Sequence, residues 1–223
     1  MLESLIAPVN FDEFHNTFNQ VQPEYQKRES KTEEEIQKAL CEYPRPTPIP
    51  LDKHADVRTA DQLFSPKQTA QLGLLKSLIL KIADENVRIT FMLMFSGLIT
   101  KNNLTYHNNP NRPWDGQGNA SAFQYYRYRL APRPIDADPM KYFKLRYDKV
   151  FKAKEDISFA INPDTVKNAR IIKGTATDLS FLEKESVDYI YTDPPYGKKY
   201  RTSTCRQCGT LGLTLTWPKR ITS

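Results

Sequence analysis

The chain has 223 residues, of which 39% are apolar, and its formal net charge is +6. Twelve Tyr and 11 Phe supply large core side chains, so the composition excludes a wholly disordered or collagen-like protein. Three cysteines are too few for a disulfide framework, and the longest apolar run, residues 89–99, is too short to span a bilayer. The first residues carry no basic stretch typical of a secretory signal. We therefore expect a cytoplasmic protein without a membrane partner.

Helix signals and a proline-rich segment divide the first part of the chain. Residues 31–43 form a short predicted helix, with Thr32 as N-cap and three glutamates in the first turn. Residues 1–30 are rich in aromatics and amides and show no clear period. The sequence PRPTPIP at residues 44–50 ends the helix, since four prolines favour an extended link. We expect a boundary near residue 50.

Three further helices are predicted from capping residues and apolar spacing. Ser65 is the N-cap of one, with Pro66 at the first helical position and Gln68 completing a capping box. A second, roughly residues 87–100, is apolar nearly all round and is expected to be buried. Asp138 caps a third that opens with Pro139. The predicted buried stripe of this last helix is Met140, Phe143, Tyr147, Val150 and Phe151.

Positive charge is concentrated in residues 123–154, which hold nine basic and three acidic residues. A confined basic segment is typical of nucleic-acid contacts, and the same charges also suit a solvated helix face. Its first part, FQYYRYRL (residues 123–130), interleaves aromatics with arginines, which suits either stacking on bases or an amphipathic strand. The candidate nucleic-acid contacts are Arg127, Arg129, Lys141 and Lys144.

The segment ARIIKGTATDLSFLEKESVDYIYTDPPYG, residues 169–197, carries the clearest chemical motif. Residues 169–173 and 187–192 are predicted strands, and the second is apolar enough to be buried in a parallel sheet. Asp-Pro-Pro-Tyr follows the second strand directly. Ligands of open α/β sheets bind beyond the carboxyl ends of strands, so the motif lies where a site is expected.

This stretch resembles the amino-methyltransferases of DNA, which modify N6 of adenine or N4 of cytosine and carry a (D/N/S)-P-P-(Y/F/W) motif. The resemblance is specific for residues 169–198, looser for 60–155 and absent for 1–45. It implies S-adenosylmethionine as cofactor, DNA as substrate, and a restriction-modification subunit as a further partner. Relatives with NPPY act on protein or RNA, and the leading Asp favours a DNA base without excluding RNA. The implied catalytic residues are Asp193, Pro194, Pro195 and Tyr196.

Residue chemistry gives a reason for each position of the motif. The lone pair of an exocyclic amine is delocalised into its base, so the amine is a poor nucleophile. The Asp193 carboxylate and the Pro194 carbonyl would accept hydrogen bonds from the two N–H groups of the amine. These hydrogen bonds localise the lone pair on the nitrogen for methyl transfer. The two prolines hold both acceptors rigidly, and Tyr196 stacks on the extruded base. A plain proline turn after a strand is the alternative interpretation of the motif.

The rest of the cofactor site is not evident from the sequence. Asp178, in the acidic loop after the first predicted strand, is the candidate contact for the adenosine end of S-adenosylmethionine, and a helix N-cap is its alternative role. The family also needs a glycine-rich cofactor loop after a strand, and no such loop is found in this sequence. We therefore expect a truncated methyltransferase, with weak or no cofactor binding by this chain.

Residues 201–223 have an aberrant character, since they contain no acidic residue and six threonines without a convincing period. We expect a frameshift after about Lys199 to have created this tail. The pair Cys205 and Cys208 has the spacing of half a zinc site, but no second pair accompanies it, and no metal is predicted.

The predicted fold class is α/β, a partial Rossmann-like methyltransferase sheet preceded by a mainly helical N-terminal region. The predicted organisation is an N-terminal segment (1–50), a helical and basic insert (51–155), the start of the methyltransferase domain (156–200) and the tail (201–223). The predicted function is that of a DNA amino-methyltransferase fragment. The alternatives are a non-catalytic nucleic-acid-binding fragment and an inactive pseudogene product that does not fold stably.

Overall fold

Five α-helices and one short 3₁₀ helix form the regular structure of the described residues. The computed structural model describes residues 10–43, 45–51, 53, 55–106, 128–158, 168, 172 and 178–192. None of the helices in these ranges is both long and apolar enough to cross a membrane. In chain order they are α1 (Phe11–Arg28), α2 (Glu33–Glu42), the 3₁₀ helix (Ala60–Leu63), α3 (Pro66–Ile79), α4 (Glu85–Leu98) and α5 (Pro139–Ile157).

The expected α/β fold is wrong for this part of the chain, because the described residues are mainly helical and contain no β-strand. Residues 187–192, which the sequence predicts as a buried strand, lie outside any strand, and their side chains are exposed. The one β-type pairing in the described ranges is an antiparallel bridge between Pro50 and Thr59. Strand propensity depends on a neighbouring strand that accepts the backbone hydrogen bonds, and the described residues provide none for 187–192.

Side-chain caps confirm the predicted helix starts. The Thr32 hydroxyl accepts from the Glu35 N–H at 3.2 Å, and Ser65 accepts from the Gln68 N–H at 3.1 Å. In both capping boxes the side chain of the third helical residue, Glu35 or Gln68, accepts a hydrogen bond from the backbone N–H of the N-cap residue. Asp138 caps α5 by accepting from the Met140 N–H at 2.8 Å. These caps satisfy backbone donors that the first helical turn leaves without intrahelical partners.

Helix α1 lies where the sequence shows no clear period. Its buried side chains are Phe14, Phe18, Val21 and Tyr25, which follow one another at helical spacings of four, three and four residues. The surrounding amides and the internal Pro23 obscure this pattern in the sequence. Asn10 starts the helix by accepting a hydrogen bond from the Glu13 N–H at 3.2 Å.

Helix α3 occupies the centre of the described fold. Every residue from Gln68 to Lys76 is buried, and α3 contacts α1, α2, α4 and α5. Ala70 packs against Ile36 and Ala39 of α2. A helix with neighbours on all sides shows no strong amphipathic pattern, so burial here follows from the tertiary arrangement and not from periodicity.

Two connecting segments run beside each other along one side of the helices. The Leu104 N–H donates to the Leu63 carbonyl at 2.8 Å, and the Ala131 N–H donates to the Leu104 carbonyl at 2.9 Å. The Ile135 N–H then donates to the Tyr106 carbonyl at 2.9 Å. These bonds hold residues 102–106 against residues 131–138 and so fix where α5 begins.

Aromatic rings join α1, α4 and α5. Phe18 stacks on Tyr147 with ring centroids 4.0 Å apart, and Phe14 meets Phe91 edge to face at 5.1 Å. Phe143 lies against Phe91 at 5.6 Å and is fully buried. Such pairs contribute about 0.5–1.5 kcal/mol each beyond the burial of their area. The apolar face of α5 is therefore fixed against two other helices.

Replacement of Phe143 tests this packing. We expect Phe143→Ala to lower the free energy of unfolding by about 3–5 kcal/mol, because it leaves a cavity among rigid rings. Leu145, on the same helix and 42% exposed, is the control. Leu145→Ala is expected to cost less than about 1 kcal/mol in urea unfolding. Equal effects of the two changes would contradict the described orientation of α5.

Lys76 is the one lysine in the described ranges that is almost fully buried, with 4% of its surface exposed. No acidic side chain in the described part of the chain pairs with it. Burial lowers the pKa of Lys76 to about 8. The unfolded chain therefore binds more protons than the folded one above that pH, and folding favours the neutral amine.

A pH series tests the burial of Lys76. From about pH 8 to about pH 10, we expect the free energy of unfolding to rise by about 2 kcal/mol as the folded-state penalty on the charged amine is removed. Lys76→Met removes the charge and should flatten this rise. Urea unfolding of both proteins across that range is the measurement. Parallel pH profiles would show that Lys76 is solvated and refute the assignment.

Candidate nucleic-acid interface and the segment before DPPY

The described structure includes four of the predicted site residues. Asp178, Arg129, Lys141 and Lys144 are described, whereas Arg127 and the four residues of the DPPY motif, 193–196, lie outside the described residues. The same holds for Cys205 and Cys208 and for residues 173–177 of the acidic loop. The structure therefore bears on the basic helix, on Asp178 and on the segment that leads to the motif.

The segment of residues 178–192 is built from local turns and carries exposed apolar side chains. The Leu182 N–H donates to the Leu179 carbonyl at 2.9 Å, and the Ser186 hydroxyl donates to the Glu183 carbonyl at 2.8 Å. Glu185, between Leu182 and Ser186 in the chain, has a φ of 58°, which is in the left-handed region. The exposed fractions of Tyr189 and Tyr191 are 80% and 81%. Exposed tyrosines and Ile190 thus immediately precede the motif.

Asp178 acts as a local turn residue in the structure. Its Oδ1 accepts from the Ser180 N–H at 3.1 Å. Hydrogen bonds from the side chain and the backbone of Ser180 hold the pKa of Asp178 below its usual value. Asp178 itself is exposed. No helix begins after Asp178 in the described residues, so the structure shows neither the predicted cofactor contact nor the alternative helix N-cap.

S-adenosylmethionine does not fit the residues that the structure describes. The described glycines, Gly73 and Gly97, both lie inside helices, so neither forms a loop whose backbone amides could hold a cofactor. The carboxylate of Asp178 is already used by Ser180.

Arg129 is committed to an ion pair within the fold. Its Nη1 donates to the Asp56 Oδ1 at 2.6 Å, and the Leu130 N–H donates to the other Asp56 oxygen at 2.8 Å. The Leu130 backbone and then the Arg129 guanidinium hold the pKa of Asp56 below its usual value. The neighbouring Tyr128 is buried. Arg129 thus anchors a connecting segment and is a weaker candidate for phosphate contact than the sequence suggests.

The two predicted lysines of α5 differ in their surroundings. Lys144 lies 3.1 Å from the Asp148 carboxylate and 5.9 Å from the centre of the Phe18 ring. Lys141 is exposed and forms no ion pair with a described residue. Of this pair, Lys141 has the charge that is more available to a phosphate.

Three further basic residues of α5 were missed as site candidates. Burial of Met140, Phe143 and Tyr147 turns the opposite side of the helix to solvent, where it exposes Arg146, Lys149 and Lys152. No described acidic residue pairs with any of the three. Their helical phase relative to the buried stripe could have identified them from the sequence. We define the basic face of α5 as Lys141, Arg146, Lys149 and Lys152.

Helix geometry sets the length of the basic face. Lys152 follows Lys141 by eleven residue steps, which gives about 16 Å along the axis. That length corresponds to roughly five nucleotide steps of one strand, at about 3.4 Å per step. Arg146 also packs close to Gly97 of α4. A Cβ atom added at Gly97 would lie 3.2 Å from the guanidinium carbon of Arg146. One side of the face is therefore supported by the neighbouring helix.

A separate groove of about 620 Å³ lies between α1 and the turn that joins α3 to α4. Val21, Leu78 and Ile82 contribute apolar surface to it. Four carboxylates and one lysine also line it: Asp12, Glu13, Glu24, Asp84 and Lys81. Its acidic lining is unsuited to a nucleic-acid backbone, and no predicted site residue contributes to it.

Among the described residues, no group of three or more His, Cys, Asp or Glu side chains is placed to hold a metal ion. Cys41, the described cysteine, is exposed and free. Comparison of the chain with protein-family models, with curated proteins and with solved structures found no significant match. The features of the chain that indicate a function are the DPPY motif and the basic face of α5.

Proposed function

We propose that this chain derives from an amino-methyltransferase of DNA and that residues 193–196 form its binding site for the target amine. The observation that carries the proposal is the tetrapeptide DPPY directly after VDYIYT, with a glycine behind it. The cofactor is expected to be S-adenosylmethionine, the methyl donor, and a restriction-modification subunit is a further proposed partner.

The chemistry of the proposed site depends on two acceptors and one ring. The Asp193 carboxylate and the Pro194 carbonyl accept hydrogen bonds from the two N–H groups of an adenine or cytosine amine. Stacking of the Tyr196 ring on the extruded base contributes about 1–3 kcal/mol. Thymine lacks an exocyclic amine and cannot donate these bonds. A cytoplasmic location belongs to the same proposal and agrees with the low cysteine content.

Binding to duplexes that contain one unpaired base tests the amine site. We expect about tenfold tighter binding to an unpaired adenine or cytosine than to an unpaired thymine, since each lost hydrogen bond costs roughly 1 kcal/mol or more. Asp193→Ala should abolish the preference and leave general DNA affinity unchanged. The measurement is fluorescence anisotropy with labelled duplexes.

Asp188→Ala is the matched control, because Asp188 is exposed and lies on the same segment. It should retain the preference for an amine-bearing base. Equal affinity of the unchanged protein for unpaired adenine, cytosine and thymine would contradict the proposed role of residues 193–196.

A second candidate is a non-catalytic nucleic-acid-binding protein, and the basic face of α5 specifically favours it. Helix α5 holds six basic and three acidic residues, and its exposed side carries basic residues without ion-pair partners among the described residues. Phosphate contacts release counterions, so affinity through such a face falls with salt. The methyltransferase proposal requires recognition of a base in addition to the phosphate backbone of DNA, whereas the non-catalytic candidate requires only contact with the phosphate backbone.

The salt dependence of DNA binding tests the basic face. We expect Lys149→Gln to weaken binding to all duplexes alike and to reduce the slope of log K against log salt by about 1. Lys38→Gln is the control, because Lys38 is exposed on α2, away from α5. Identical salt slopes for these two variants and the unchanged protein would exclude the basic face as the phosphate contact.

A further inference from the structure

Gly97 lies inside a helix, where glycine weakens the structure. Helix α4 runs from Glu85 to Leu98, and Gly97 is in its last turn. Glycine loses more conformational freedom on folding than alanine does, and it is a poor helix former. The helical backbone at this position does not itself require glycine. The group that packs on Gly97 from outside the helix therefore gives the reason for the residue.

The guanidinium group of Arg146 occupies the space above Gly97. A Cβ atom at Gly97 would lie 3.2 Å from both Cζ and Nε of Arg146 and 3.5 Å from its Nη2. The shorter distances are less than an ordinary carbon contact of about 3.5–4.0 Å. Because the three distances are nearly equal, Gly97 faces the plane of the guanidinium group and not its edge. The side chain of Arg146 thus lies flat on α4.

Contact through the face of the guanidinium group leaves its edges available. The N–H bonds of arginine lie in the plane of the group, so the donors point sideways and not into α4. Arg146 is exposed, and no acidic residue in the described ranges forms an ion pair with it. Two parallel N–H bonds of this planar fork match two oxygens of a phosphate group.

Neighbouring contacts fix the part of α5 from which Arg146 extends. Lys101 Nζ, just beyond the end of α4, lies 5.0 Å from the centre of the Tyr142 ring, and Tyr142 precedes Arg146 by about one helical turn. The hydroxyl groups of Tyr142 and Tyr106 are 3.1 Å apart. On the other side, Tyr147 is buried. The backbone at Arg146 is therefore held on both sides.

We propose that Gly97 is a positioning residue and that the Arg146 guanidinium group it accommodates is the strongest phosphate contact of the basic face of α5. This inference rests on the nucleic-acid-binding candidate described above. The exposed lysines of the face lose rotamer freedom when they hold a phosphate. Arg146 has already lost part of that freedom by lying on α4, so it binds a phosphodiester at a smaller entropic cost.

The first test compares Arg146 with a lysine of the same face, by fluorescence anisotropy of the full chain with a labelled DNA duplex. Both Arg146→Gln and Lys149→Gln should reduce the slope of log K against log salt by about 1, since each removes one phosphate contact. At a fixed salt concentration, Arg146→Gln should weaken binding about tenfold, and Lys149→Gln should weaken it less. Arg146→Lys should keep the slope and lose affinity, because it retains the charge without the fork.

The second test removes the space above Gly97. Gly97→Leu fills that space and displaces the guanidinium group, so it should cause most of the affinity loss of Arg146→Gln. Gly97→Ala should act in the same direction to a smaller extent. Combined with Arg146→Gln, neither change at Gly97 should weaken binding further. Alanine and leucine are better helix formers than glycine, and melting temperatures verify that the variants are folded.

The possible failures of these tests are distinguishable. Unchanged affinity of Gly97→Leu and Gly97→Ala, with Lys149→Gln weakened as expected, would overturn the positioning role and leave the basic face in place. Equal effects of Gly97→Leu with and without Arg146 would also overturn it, because Gly97 would then act through another group. Unchanged affinity and salt slope of both Arg146→Gln and Lys149→Gln would refute the basic face itself and this inference with it.

Discussion

The packing of α5 against α1 and α4 is the constraint on which the described structure depends. The rings of Phe143 and Tyr147 pack against those of Phe18 and Phe91. Rotation of any of these rigid rings would lose packing contacts. This contact fixes the rotation of α5 about its axis. The rotation decides which charged residues face solvent, so the same rings that form the core also set the direction of the basic face.

The connecting segments add a second constraint, which is polar. Asn102 and Asn103 are buried and bind backbone carbonyls, and Arg129 is held by Asp56. These bonds fix the path of the chain into α5 through groups that must be satisfied once they leave water. Polar residues thus determine where α5 starts, and apolar residues determine how it lies.

Two features of the chain indicate a function: the DPPY motif and the basic face of α5. The DPPY sequence favours chemistry on a base amine, and the basic face of α5 favours contact with phosphates. The described residues do not supply a cofactor loop, since Gly73 and Gly97 are helical and Asp178 is bound to Ser180. The proposed base recognition and the proposed phosphate contact therefore involve different residues, so a substitution can test each without the other.

The sequence by itself determined the starts of α2, α3 and α5 and the first three residues of the apolar stripe of α5, whereas Val150 and Phe151 of that predicted stripe are only partly buried. Thr32, Ser65 and Asp138 were identifiable because capping acts within one helical turn, and Met140, Phe143 and Tyr147 because helical spacing is a local property. DPPY was identifiable in the same way, as a run of neighbouring residues. Their common feature is that each depends on residues a few positions apart.

Only the tertiary structure decided which segments find partners. Residues 187–192 have strand-forming side chains, but a strand needs hydrogen bonds from a distant segment, and the described residues form a helical fold that supplies none. The ion pair of Arg129 with Asp56, the burial of Lys76 and the hydrogen bond of Gln71 with Glu29 also depend on residues far apart in the chain. Local sequence does not encode such distances, because they follow from how the helices pack.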